Sequence, residues 1–156
     1  MAQSVLATVG VGANLGDALA AVGRAIHDLA ALPGTALHAA SSLYASAPLD
    51  AQGPEFVNAV VQLHTALGPQ ALLAALQAIE QRAGRLRPYR NAPRTLDLDI
   101  LLYGDLQLQD SDLHIPHPRM WQRAFVLVPL AEIAPQRVSA AQLQAVAGQS
   151  LRRLQP

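Results

Sequence analysis

The stretch Asn91-Ala-Pro-Arg-Thr-Leu-Asp-Leu-Asp-Ile-Leu-Leu-Tyr-Gly104 decides how the rest of the chain is read. Its second half, from Leu96 to Tyr103, alternates as a strand does and turns at Gly104-Asp105. Residues two apart on a strand point to one face, about 6.6–7 Å apart along it. Asp97 and Asp99 therefore share one face, and Leu98, Ile100 and Leu102 are expected on the other. Two carboxylates so placed raise each other's pKa unless a cation lies between them. Magnesium suits such a pair, because it takes hard oxygen ligands, few of them from protein and the rest from water and phosphate. A pair with this spacing can serve two such ions about 3.5–4 Å apart. The plain reading of Asp-x-Asp alone is an exposed strand face, or acids paired with arginines.

The residues just upstream favour the metal. Arg82, Arg85, Arg87, Arg90 and Arg94 fall within thirteen residues, and no acid lies between Glu80 and Asp97. Guanidinium forks match phosphate oxygens two at a time. An arginine loop leading into a magnesium-type pair reads as a polyphosphate clamp, with charge neutralised from both sides. A nucleic-acid patch is the competing reading. It is disfavoured by a single aromatic in the loop, Tyr89, and by a neutral chain with eleven acids and eleven bases.

Composition closes off other chemistries. The 156 residues fit one domain, and 51% are apolar, enough for a core. Without cysteine there is no disulfide, thiol nucleophile or thiolate zinc site. All eleven cations are arginine, so a Walker lysine and a Schiff base are excluded as well. Neither a signal-peptide pattern nor an 18-residue apolar span is seen, so a cytoplasmic protein away from membranes is expected. A monomer that binds small molecules and no nucleic acid is expected as well.

Outward from the aspartate strand, Val5 to Val11 reads as a buried strand ending at Gly12, with Gly12 to Asp17 as a tight turn. Asp17 caps a helix over Leu19, Val22, Ile26 and Leu29, stopped by Pro33-Gly34. Leu37 to Ser46 is a weak strand, and Phe56 to Leu67 a better one. Gly68-Pro69 opens a helix with buried stripe Leu72, Leu76, Ile79 and Ala83, for which Gly84 is a suitable cap. After the aspartate strand comes a loop with Pro116 and Pro118, an apolar segment from Phe125 to Ala134, and a short helix capped by Ser139. The order β-α-β-β-α-β predicts an α+β sandwich with a largely antiparallel sheet covered by helices. His117 and Arg123 are candidate phosphate ligands, whereas His27, His38, His64 and His114 read as structural and Trp121 as loop packing. Asn58 suits the edge of a polar heterocycle, and Phe56 suits either its face or the core.

Residues Ala92-Pro-Arg-Thr-Leu-Asp-Leu-Asp-Ile-Leu101 match a signature that is highly specific. With Gly12 to Gly16, Tyr44 to Leu49, Phe56 to Ala59, Glu80 to Arg87 and Ile115 to Ala134, the match runs in order along nearly the whole chain. The sequence resembles the 6-hydroxymethyl-7,8-dihydropterin pyrophosphokinase family of folate biosynthesis. The resemblance implies a ferredoxin-like sandwich forming a single pyrophosphokinase domain over 1–156. It also implies transfer of the β,γ-pyrophosphoryl group of ATP to the pterin hydroxymethyl oxygen, with AMP released and two magnesium ions bridging the phosphates. Asp97 and Asp99 are then the metal ligands. Arg85, Arg94, His117 and Arg123 contact the triphosphate, Arg85 and Arg94 as catalytic groups. Arg87 and Arg90 belong to a closing loop, and Gln77, Glu80 and Ile100 are ATP-side residues. Phe56 and Phe125 sandwich the pterin, Asn58 bonds its edge, and Ser46, Ala47 and Leu49 complete the pocket. The sequence departs from the family at Asn91, where tryptophan is common, at Phe56 for tyrosine, at Ala47 for proline and at Pro118 for tyrosine. The alternative from another class is a non-catalytic nucleotide- or RNA-binding domain on the same sandwich.

Overall fold

The computed structural model describes residues 4–14, 17–47, 55–84 and 96–154. Strand β1 (Val5–Ala13) leads into helix α1 (Ala18–Ala30), whose first turn is capped by the Asp17 carboxylate accepting from Ala20 N at 3.1 Å. Strands β2 (Thr35–Ala40) and β3 (Tyr44–Ser46) follow, then the long β4 (Phe56–Thr65). Helix α2 (Pro69–Gly84) starts at the expected proline and buries Leu72, Leu76 and Ile79. Strand β5 (Asp97–Tyr103) is the aspartate strand. A small hairpin, β6 (Leu108–Gln109) with β7 (His114–Ile115), precedes helix α3 (Ala124–Ile133), helix α4 (Ala140–Ala145) and strand β8 (Leu151–Arg153). Ser139 opens α4 with a reciprocal cap: its hydroxyl accepts from Gln142 N, and Gln142 accepts from Ser139 N.

The main sheet runs β5-β1-β4-β3-β8, with β2 beside β3 on the same edge of β4, and every pairing is antiparallel. Taking β2 and β3 as one interrupted strand, the core order is fourth-first-third-second, the β-α-β-β-α-β sandwich predicted from the sequence. Helices α1 and α2 cover one face, over Val9, Val11, Val61, Leu63, Leu72 and Leu76. Helix α3 covers part of the other, over Val60, Leu101, Met120, Leu127 and Leu130. Among the described residues no helix is long and apolar enough to cross a membrane.

Three local expectations are corrected. The weak strand from Leu37 to Ser46 is broken at Ser41, which spends its backbone N–H on Val60 O and accepts from Val60 N through its hydroxyl. Its second half then pairs separately. Strand β1 does not end at Gly12, which stays in the ladder opposite Asn58 and Asp97. Leu102 does not share a face with Leu98 and Ile100. In β5, Ile100 pairs with Val9 and Leu102 with Thr8, so Leu101 is the extra residue of a β-bulge. The bulge resets the alternation. Leu98 and Ile100 pack toward α1 and α2, while Leu101 and Leu102 both pack toward α3. A smaller bulge in β2 skips His38, whose ring meets His64 edge-on with ring nitrogens 3.1 Å apart, so these two histidines partner one another.

Candidate functional site

The ladder registers line up a row of residues on the α3 side of the sheet: Asp97 of β5, Gly12 of β1, Asn58 of β4, Tyr44 of β3 and Arg153 of β8. Directly opposed residues on neighbouring strands project to the same face. One step along, Asp99 faces Gly10, and Gly10 faces Val60. The two glycines therefore sit between the carboxylates and Asn58. With strands about 4.8 Å apart, they leave a trough roughly 10 Å wide with a bare backbone floor. A Cβ on Gly12 would lie 3.3 Å from Asn58 Oδ1, and one on Gly10 3.4 Å from Leu101 Cδ1.

This trough is a cavity lined by Asp97, Asp99, Gly10, Gly12, Ser46, Ala47, Phe56, Asn58, Leu101, Arg123 and Phe125. Of the residues singled out from sequence, it brings together the metal-type pair, both aromatic rings, the amide and one arginine. Asn58 is buried, and its Nδ2 donates to Ser46 Oγ at 2.8 Å, which fixes the amide and leaves Oδ1 on the side of Gly12. Arg123 caps the start of α3, with its guanidinium carbon 5.4 Å from the centre of the Phe125 ring.

Asp97 is exposed and Asp99 half-buried. Burial first, then the Asp97 charge, pushes the Asp99 carboxyl above its ordinary range, while His117 and Arg123 pull it back. A carboxylate held in this way is relieved by a cation, so the donor set fits a hard divalent ion. No group of three or more protein ligands is found among the described residues, and water and phosphate would fill the remaining positions. His117 is tethered to the same strand, because its backbone N–H donates to Leu101 O, the bulge carbonyl, at 3.0 Å. Its Nδ1 accepts from Arg119 N at 3.1 Å, which puts the proton of the neutral ring on Nε2. Burial, aided by Arg123 and Arg119 and opposed by Asp99 and Asp97, holds this imidazole below its usual value.

Other candidates lie elsewhere. Glu80 accepts from Leu98 N at 2.8 Å, bracing β5 between the two aspartates, and Gln77 is exposed on the same helix. The Ile100 side chain is buried on the α1–α2 face and does not line the trough. Leu49, Arg85, Arg87, Arg90 and Arg94 lie outside the described residues. Gly10 and Gly12 were not singled out as site residues. The signal was their period-two spacing inside a strand, a mark of close approach.

A profile described as 7,8-dihydro-6-hydroxymethylpterin-pyrophosphokinase (HPPK) matches residues 8–135. A curated relative from Pseudomonas aeruginosa, named 2-amino-4-hydroxy-6-hydroxymethyldihydropteridine pyrophosphokinase, is 50% identical over 128 residues, covering 81% of this chain and 79% of its own length. One of the same name from Synechocystis sp. is 48% identical over 129 residues, covering 83% of this chain and 66% of its own. Among solved structures, wild-type HPPK-DHPS of Plasmodium falciparum with pterin and p-hydroxybenzoate aligns with a TM-score of 0.67 at 14% identity, over 86% of this chain and 40% of that one. At that identity the likeness carries the fold.

Proposed function

The chain belongs to the 7,8-dihydro-6-hydroxymethylpterin-pyrophosphokinase family, and from that premise we propose that it transfers the β,γ-pyrophosphoryl group of ATP to the hydroxymethyl group of 6-hydroxymethyl-7,8-dihydropterin in folate biosynthesis. The observation that carries this reading is the glycine-floored trough, with a carboxylate pair at one side and an oriented amide at the other. The pterin lies between Phe56 and Phe125, its polar edge on Asn58, with Ser46, Ala47 and Leu49 completing the wall. Its hydroxymethyl arm points across Gly12 toward Asp97 and Asp99.

The hydroxymethyl oxygen attacks the β-phosphorus of ATP. The bond from that phosphorus to the α,β-bridging oxygen breaks, AMP leaves with the bridging oxygen, and the hydroxyl proton passes to solvent. Asp97 and Asp99 would hold two magnesium ions, which would supply neutralisation of phosphate charge and a lower pKa for the attacking hydroxyl. His117 offers Nε2–H to a phosphate oxygen, and Arg123, set against the Phe125 ring, adds its charge beside the aspartates. Arg85 and Arg94 complete the phosphate contacts, Arg87 and Arg90 close over ATP, and Gln77, Glu80 and Ile100 belong to the ATP side of β5. The chain works as a single domain and a monomer, in the cytoplasm, on small molecules. The non-catalytic alternative is not favoured, since neither the acidic pair nor the ring-stacking residues are lost. The test is AMP release by the wild type against Asp97→Ala and Asp99→Ala. Each variant is expected to fold and to lose several orders of magnitude in rate; near-normal release by either would overturn the metal assignment.

A further inference from the structure

We propose that Glu132 is a positioning residue for the pterin: its carboxylate ties helix α3, which carries Phe125, to strand β3, which carries Ser46, and so sets the separation of two walls of the trough. The proposal rests on the reading of that trough as the pterin site.

Glu132 lies near the end of α3, seven residues after Phe125. Seven residues are close to two helical turns, so both side chains leave the same side of the helix, about 10 Å apart along its axis. The carboxylate makes four contacts with three donors. Ser42 N lies 3.1 Å from Oε1 and 2.9 Å from Oε2, Ser42 Oγ donates to Oε2 at 3.0 Å, and Tyr44 OH donates to Oε1 at 2.6 Å. Glu132 is itself exposed, so solvation does not require these partners. Tyr44 is 6% exposed and gains most from the contact, since a buried hydroxyl without an acceptor is costly. Burial first, and then the Glu132 hydrogen bond, pushes the Tyr44 phenol up to about 12. The Glu132 carboxyl is held below its ordinary range: burial opposes this, but the Tyr44 and Ser42 hydrogen bonds outweigh it, and the Arg153 charge adds to them.

The tie leads into the site on both sides. Along β3, Tyr44 and Ser46 share a face, and Ser46 Oγ accepts from Asn58 Nδ2. Along α3, the same anchoring holds the helix end opposite Phe125. Loss of the carboxylate would free β3 from α3 without touching Asp97, Asp99 or His117. The expected consequence is looser pterin binding with ATP binding unchanged.

Steady-state kinetics on Glu132→Ala, Glu132→Gln and Tyr44→Phe, with melting temperatures, test this. The pterin KM should rise about tenfold in Glu132→Ala and less in Glu132→Gln, which keeps one acceptor oxygen, while the ATP KM stays within about twofold. Tyr44→Phe, which loses one of the four contacts, should show the smaller effect with the same split. An unchanged pterin KM in Glu132→Gln and Tyr44→Phe, or equal rises in both KM values, would overturn the proposal. AMP formation by the wild type is followed in the same assay. Its absence would overturn the functional reading itself, whereas AMP formation with an unmoved pterin KM would overturn the Glu132 role alone.

Discussion

Gly12 stands directly opposite Asn58 across the β1–β4 ladder, and a methyl group on Gly12 would sit 3.3 Å from Asn58 Oδ1. Asn58 is buried and its amide is held from the other side by Ser46, so the oxygen has little room to give. Gly12→Ala should therefore tilt the amide and raise the floor of the trough. The expected result is a rise of about tenfold or more in the pterin KM, with a cost of about 1–3 kcal/mol in stability from overpacking. Gly10→Ala is the internal control, because its methyl group would meet the Leu101 side chain at 3.4 Å, near ordinary contact. Its pterin KM should move much less, and equal effects of the two substitutions would contradict the placing of the pterin edge on Asn58 beside Gly12.

Asp99 sets a sign for the metal-free protein. Its folded carboxyl sits above the ordinary range, through burial first and Asp97 second. The native state thus holds this proton more tightly than the unfolded chain, and stability from this group falls as pH rises through the usual carboxylate value toward the raised one. Above the raised value, the ionised Asp99 carboxylate opposes folding. Asp99→Asn should raise the melting temperature without magnesium, by about 1–4 °C, and should abolish the further rise that magnesium gives the wild type. A lower melting temperature for the variant in chelator would contradict the like-charge strain.

His117 offers a test of proton placement. With Nδ1 accepting from Arg119 N, the useful donor is Nε2–H. Glutamine can set an amide N–H near Nε2, whereas asparagine reaches only the Nδ1 position. His117→Gln should keep about tenfold more of kcat/KM than His117→Asn, and the reverse order would place the donor on the other nitrogen. The imidazole is held below its usual value, mainly by burial, so the unfolded chain takes up this proton first. This contribution to stability is present above the ordinary histidine value and is lost as pH falls through it toward the folded one. Thermal melts between about pH 5 and 8 should lose that pH dependence in His117→Gln.

Much of the fold was legible because its long elements carry strong periodicity: the Asp17-capped helix, the Pro69 helix and the paired strands β1, β4 and β5 fall where the sequence places them. The short β6, β7 and β8 carry too few residues for a period, and they exist because partners lie beside them. Counting by twos through Leu98, Ile100 and Leu102 fails at Leu101, since a bulge leaves no mark in the alternation. In the site, residue type and spacing single out Asp97, Asp99, Phe56, Asn58 and Arg123, the family resemblance adds Phe125, and all six line one cavity. Gly12 was read as a turn, when its role comes from two neighbours far away in sequence. Glu132 is invisible in one dimension, because its three donors lie some ninety residues upstream.

The central claim is that the trough joins a pterin hydroxyl to the β-phosphorus of ATP. The most direct measurement is phosphorus NMR of a reaction containing the protein, ATP, magnesium and 6-hydroxymethyl-7,8-dihydropterin. AMP and the pterin diphosphate should appear in equal amounts. ADP with a pterin monophosphate, or ATP left unchanged, would contradict the account.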